Sequence, residues 1–269
     1  MTRIGQYHRY TFEFALIAAV ALITVLGFWD IYVGPKANAQ PHHHLHIATA
    51  FMWMGLVLIQ LLFIAGGNRE MHRRIGLAIL VAGPLLVGTT AALSVFSAYK
   101  GVVSGEGDFL IIQNVMITVE LGLLIFLAFL LKRSRKLHAS LLMSTTILFM
   151  GVALFFALIS FVPQFKIEGP ETFYRFQTAA TTGQAICFVV GLLFFLRDRR
   201  NGWPFLFAAA CFPANEAIRS LLARFDLIDP LTRIVGSANQ SLTFIATFAL
   251  LFSLLAVTVL PTGRQPQPA

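Results

Sequence analysis

Pro41-His42-His43-His44-Leu45-His46-Ile47-Ala48-Thr49-Ala50-Phe51-Met52-Trp53-Met54 opens an apolar run that continues to about Ala65. An uncharged run of that length crosses roughly 30 Å of hydrocarbon as a helix. Pro41 suits the first helical position, where its missing N–H leaves nothing unpaired. The stretch decides the fold because runs like it fill the chain: about 12–29, 44–65, 75–97, 110–131, 140–162, 178–196, 203–222 and 238–260. Composition points the same way. Of 269 residues, 57% are hydrophobic and 12% charged, whereas a soluble domain carries about 25% charged residues. Mean hydropathy is +0.77. The expected architecture is all-α, a polytopic transmembrane bundle of about eight spans. It forms a single domain over residues 1–261, with 262–269 as a disordered tail.

Charge sets the expected orientation. Basic residues gather in alternate linkers, at Arg69, Arg73 and Arg74, at Lys132, Arg133, Arg135 and Lys136, and at Arg197, Arg199 and Arg200. The positive-inside rule then puts both termini in the cytoplasm and the histidine cluster on the outer, periplasmic face of a bacterial-type inner membrane. The net charge of +8 therefore reflects topology rather than nucleic-acid binding. The implied partners are the bilayer, anionic lipid headgroups at the basic loops, and other membrane proteins. Ala37-Asn38-Ala39 follows an apolar stretch at 15–29 and resembles a signal-peptide cleavage site. Glu13 and the long gap between stretch and site favour an uncleaved first span. Cys187 and Cys211 lie inside apolar runs and form no C-x-x-C, which argues against a disulfide or thiolate site. No P-loop, G-x-G-x-x-G, G-x-S-x-G or H-E-x-x-H is present.

Polar side chains inside a bilayer are costly, so their depth is informative. Asp30, Gln113, Asn114, Glu120, Gln184, Asn215, Glu216, Arg219, Asn239 and Gln240 all fall at mid-span or in the outer half of their spans. With the histidines they make a belt in one leaflet, and the expectation is an outward-facing polar pocket.

Four of the seven histidines stand at the mouth of the second span. His42 and His46 are four apart and His43 and His46 three apart, spacings at which helical residues share a face. Imidazole pairs so placed ligate a transition metal (zinc, copper or iron) or an axial haem position. The positive end of the helix dipole opposes a bare cation there, so an acidic further ligand is called for. Asp30 and Glu216 lie at compatible depth. The plainer reading of His42, His43, His44 and His46 is a solvated loop against lipid headgroups.

Glu216 and Arg219, three apart in an apolar helix, are either a self-neutralised pair or a proton carrier and an anion anchor. Glu120, near mid-span with no basic residue within a turn, is either a proton-handling group or helix glue. His72 and His138 each follow a basic loop at the cytoplasmic start of a span. Together they would ligate one haem b if those spans are neighbours. The plainer reading is that His72-Arg73-Arg74 and Arg133-Ser134-Arg135-Lys136 bind lipid headgroups. A two-haem relay would need outer histidines from two spans, and here all belong to one.

The order of landmarks resembles a family of uncharacterised bacterial multi-pass membrane proteins grouped as a domain of unknown function. The residues that carry it are His43 or His44, His46, Trp53, Gln60 and His72-Arg73-Arg74-Ile75-Gly76, with Leu137-His138 through Met143 matching a later motif with one residue extra. The resemblance implies a membrane protein whose histidines form a site, and names no activity. Three functions follow from the residues: a metal- or haem-binding protein with its site on the outer face, serving redox chemistry or cofactor handling; a proton-coupled or anion transporter; or a non-catalytic subunit of a membrane complex.

Overall fold

The computed structural model describes residues 8–34 and 37–259; the expected tail lies outside them. The described chain is all-α, with eleven helices: α1 (Thr11–Gly27), α2 (Trp29–Tyr32), α3 (Pro41–Ala65), α4 (Arg69–Gly76), α5 (Ile79–Ser104), α6 (Ile111–Leu130), α7 (Arg135–Phe161), α8 (Tyr174–Arg197), α9 (Trp203–Arg224), α10 (Ile228–Gly236) and α11 (Gln240–Val259). Seven of them, α3, α5, α6, α7, α8, α9 and α11, are long and apolar enough to cross a membrane.

The first expected span is a helix of 17 residues, about 25 Å long at 1.5 Å per residue, shorter than the other seven and at the lower limit for a crossing. It is nonetheless part of the bundle. Leu16, Ile17 and Val20 are buried, and Gly27 lets α1 approach the Ala153 carbonyl of α7, where a Cβ would clash. At its other end Arg197 of α8 holds Glu13 at 3.0 Å and the Arg9 carbonyl at 2.7 Å.

α5 and α7 are the most enclosed of the spans. α3, α10 and α11 pack on α5, while α1, α8 and α9 pack on α7. α6 lies between the two groups and touches α5, α7, α9 and α11. Their shared core includes Trp53, Leu86, Leu121, Leu124, Ile125, Leu141 and Ile147. In lipid such contacts are held by close packing rather than by expulsion of water.

Two boundaries differ from the expectation. The third span does not begin at residue 75. Residues 69–76 form the separate helix α4, which buries no side chain completely, half-buries His72 and carries an exposed Arg74–Glu70 pair at 2.7 Å. Four charged residues within eight keep that segment out of hydrocarbon, and the span proper runs on to Ser104. It ends where Gly105 adopts a left-handed conformation (φ 74°), which a side chain resists. The second difference is at Asp229-Pro230, which reads as a linker. It opens α10 instead, because proline is tolerated in a first turn. Ile228, Leu231 and Val235 of α10 cover Ala98, Ile111 and Ile112.

Candidate functional site

The histidine mouth sits at the start of α3, as its proline predicts, but its rings diverge. Successive helical residues point about 100° apart, and only His42 and His43 share a neighbour, Phe96. His42 lies against Phe96 of α5 (ring centroids 3.9 Å) and His43 (4.3 Å). Nδ1 of His43 accepts the Gln40 backbone N–H at 3.0 Å, which uses that nitrogen to cap the helix. His44 meets the edge of Tyr32 on α2. His46 turns inward, with Nδ1 3.3 Å from the Thr89 hydroxyl. Asp30 is exposed on α2. Among the described residues no three His, Cys, Asp or Glu side chains form a metal-holding group. The donors that come together there are His42 and His43, and Nε2 of His42 is buried without a partner.

His46 instead begins a polar seam down the inner face of α3. Thr49 bonds Thr89 at 2.8 Å. One heptad below His46, the indole N–H of Trp53 donates to Thr145 of α7 at 2.9 Å. A further heptad on, Gln60 is buried against α4, where its amide nitrogen donates to the His72 carbonyl at 2.9 Å and its oxygen accepts the Gly76 N–H at 3.1 Å. His46, Trp53 and Gln60, each a heptad apart on one face of α3, thus bond to three different helices. Sequence inspection passed over Thr89 and Thr145. Their signal was a pair of hydroxyl residues, Thr89-Thr90 and Thr145-Thr146, in the middle of otherwise apolar spans.

At the basic end, burial and then the neighbouring His138 hold the His72 imidazole below its ordinary range. Nδ1 of His138 lies 2.7 Å from the Ala128 carbonyl. A carbonyl only accepts, so Nδ1 carries the proton and Nε2 is left as the acceptor. His138 is close enough to disfavour charge on His72, but the spans that follow the two histidines, α5 and α7, stand on either side of α6, whereas the one-haem reading asks for neighbouring spans.

The polar belt converges elsewhere. Among α6, α7, α8 and α9 lies a cavity of about 120 Å³, walled by Phe109, Phe155, Phe156, Phe176 and Phe212. Gln113, Asn114, Gln177, Gln184, Asn215, Glu216 and Arg219 supply its polar lining. Arg219 grips Glu216 with two bonds, at 2.9 and 2.6 Å, and stacks over Phe109 at 4.6 Å. That pair is self-neutralised, yet the guanidinium has five N–H donors and spends two on the carboxylate. Glu216 therefore belongs to this cavity, which no histidine lines, and does not reach the histidine mouth.

Behind the cavity lining the Asn215 amide donates to Oε1 of Glu120 at 2.9 Å, with Cys211 also beside that carboxyl. Glu120 is bonded to another helix, one of the two readings its isolation allowed. Its Oε2 and the Asn215 Oδ1 are both buried without a partner. Two other belt residues serve as glue. Gln240 ties α11 to the Ala92 carbonyl at 3.1 Å, and Asn239 caps α11 through the Leu242 N–H at 3.0 Å. Sequence inspection did not anticipate Gln177 or the phenylalanine walls, because aromatic residues are common throughout an apolar bundle.

No family model, curated protein or solved structure matches the chain.

Proposed function

We propose that this integral membrane protein binds a small amphipathic solute in the cavity among α6–α9 and links that binding to a proton on Glu120, as a proton-coupled carrier does. One observation carries the reading. Glu120 is bonded to Asn215, which lines the cavity, and the two leave two buried oxygens unsatisfied; such atoms in a native core call for an explanation. A shared proton, or a hydrogen-bond donor on a solute, completes them. The cavity's volume of about 120 Å³ corresponds to roughly four waters. Its phenylalanine walls, amide groups and internally neutralised Glu216–Arg219 pair favour a small, uncharged or zwitterionic molecule over a bare anion. In this reading α1 completes an eighth crossing, both chain ends and the basic turns face the cytoplasm of a bacterial-type inner membrane, and the cavity lies in the outer leaflet.

The test is a thermal-shift screen of small polar and aromatic solutes against the purified protein at two pH values. A hit is then followed in proteoliposomes with a pH-sensitive dye. Binding that depends on pH in the wild type and not in Glu120→Gln supports the proposal; solute binding indifferent to Glu120 removes the proton from it.

A second reading keeps the histidine mouth as a transition-metal or haem site. The adjacent rings of His42 and His43, 4.3 Å between centroids, and the buried, unpartnered His42 Nε2 favour it. His72 with the acceptor nitrogen of His138 is the corresponding haem b candidate at the other face. An absorption spectrum with elemental analysis of untagged protein decides between them: a Soret band lost in His72→Ala, or stoichiometric metal lost in His42→Ala.

A further inference from the structure

At the basic end of the bundle two turns far apart in sequence flank a second concavity, open at the surface. Arg133, Ser134, Arg135 and Lys136, where α6 passes into α7, line it together with Asp198, Arg200 and Asn201, where α8 passes into α9. Its volume is about 510 Å³, and its cationic side chains are exposed. Four cationic side chains line it against one carboxylate.

That carboxylate is already committed. Asp198 accepts two bonds from the Asn201 side chain at 3.0 Å and one from its backbone N–H at 3.2 Å. Lys136 reaches it at 3.5 Å. Asn201, and secondarily Lys136, hold the Asp198 carboxyl below the usual carboxylate range. It therefore stays charged and orients Lys136 without neutralising the three arginines. Among the described residues Arg133, Arg135 and Arg200 form no salt bridge. The turns that carry them are fixed by backbone bonds, Ser134 to Leu131 at 2.9 Å and Gly202 to Asp198 at 2.7 Å.

A charge run on a solvated loop spreads its cations apart, whereas here two loops aim them into one concavity at the ends of four spans. We propose that this cavity is a binding site for a ligand bearing two phosphate groups. Arginines facing across it from two turns match two phosphates on one small scaffold, since guanidinium forks grip phosphate oxygens in pairs. The source of that chemistry is either the headgroup of a lipid such as cardiolipin, with two separate phosphates, or a soluble diphosphate. This site is separate from the solute cavity among α6–α9 and stands without it.

The experiment uses the full chain in two arms: nanodiscs with and without cardiolipin, and detergent micelles titrated with inorganic pyrophosphate. The expected result is a rise in thermal midpoint with at least one probe, falling steeply as salt is added. Arg133→Gln with Arg200→Gln should weaken that binding about tenfold or more, and Asp198→Asn should tighten it. Arg73→Gln with Arg74→Gln removes the same charge from α4, outside the cavity, and should leave binding near wild type. A response to cardiolipin alone assigns the site to lipid, and one to pyrophosphate in micelles assigns it to a soluble ligand. The proposal is overturned if neither probe binds, or if the α4 pair weakens binding as much as the cavity pair, for then only general surface charge is at work. The midpoint shift of the wild type answers the first question even if a variant fails to fold.

Discussion

Asn215 on α9 donates its side-chain amide to Glu120 on α6 at 2.9 Å, a bond between two buried polar residues inside a bundle built to exclude them. It fixes where the polar belt turns inward, and it makes each residue answerable for the other.

Removing one partner should therefore cost more than removing both. Asn215→Leu leaves Glu120 without its amide donor and should destabilise the protein by about 1–3 kcal/mol. Adding Glu120→Leu should recover a large part of that loss. Unfolding midpoints of the two single variants and the double variant in detergent measure the coupling directly.

The indole of Trp53 is fully buried and its only polar atom bonds Thr145. Trp53→Phe keeps most of the packing and loses the bond, which within membranes averages about 0.6 kcal/mol and reaches about 1.7. Trp53→Ala also opens a void and should cost about 3–5 kcal/mol. A ratio near one between the two variants in unfolding measurements would mean that α3 is held to α7 by the bond rather than by the ring.

His72 gives the stability a pH dependence of known sign. Burial and His138 disfavour its charged form in the folded protein, whereas in the unfolded chain it titrates near about 6.5. Below that pH the unfolded state binds more protons, so stability is full above it and is lost as pH falls towards the lower folded value. The thermal midpoint should drop on acidification, and His72→Asn should flatten the drop. An unchanged slope in the variant would place the dependence on another group.

Gly151 of α7 lies under the ring of Phe212, where a Cβ would occupy the ring's place. Both line the solute cavity. Gly151→Ala should push Phe212 aside at a cost of about 1–3 kcal/mol and weaken any solute found by the thermal-shift screen. Equal solute affinity in this variant would show that the ligand lies away from the α7–α9 wall.

Composition and apolar run length were enough to establish a helical membrane protein, because the bilayer leaves a spanning chain few other ways to satisfy its backbone. The same logic located α3, α6, α7, α8, α9 and α11 to within a few residues, and glycine and charge marked most of their ends. It also grouped the polar residues into one outer belt, since lipid would not tolerate them; of that belt Gln113, Asn114, Gln184, Asn215, Glu216 and Arg219 line a common cavity, whereas Asp30, Glu120, Asn239, Gln240 and the histidines do not. Which helices meet was beyond it. Spacing along one helix showed that His42 and His46 share a face, but whether they converge depends on Phe96, Thr89 and Tyr32 from other helices, and those neighbours draw the rings apart. Glu216 stood at the right depth for the histidines, and depth carries no information about position around the bundle. The partner of Glu120, the connection of Trp53 to Thr145, and the meeting of the 133–136 and 198–201 turns all join residues about 60 to 95 positions apart. Only helix packing sets those distances, because every apolar face is equally at home against lipid or another helix until specific side chains interlock.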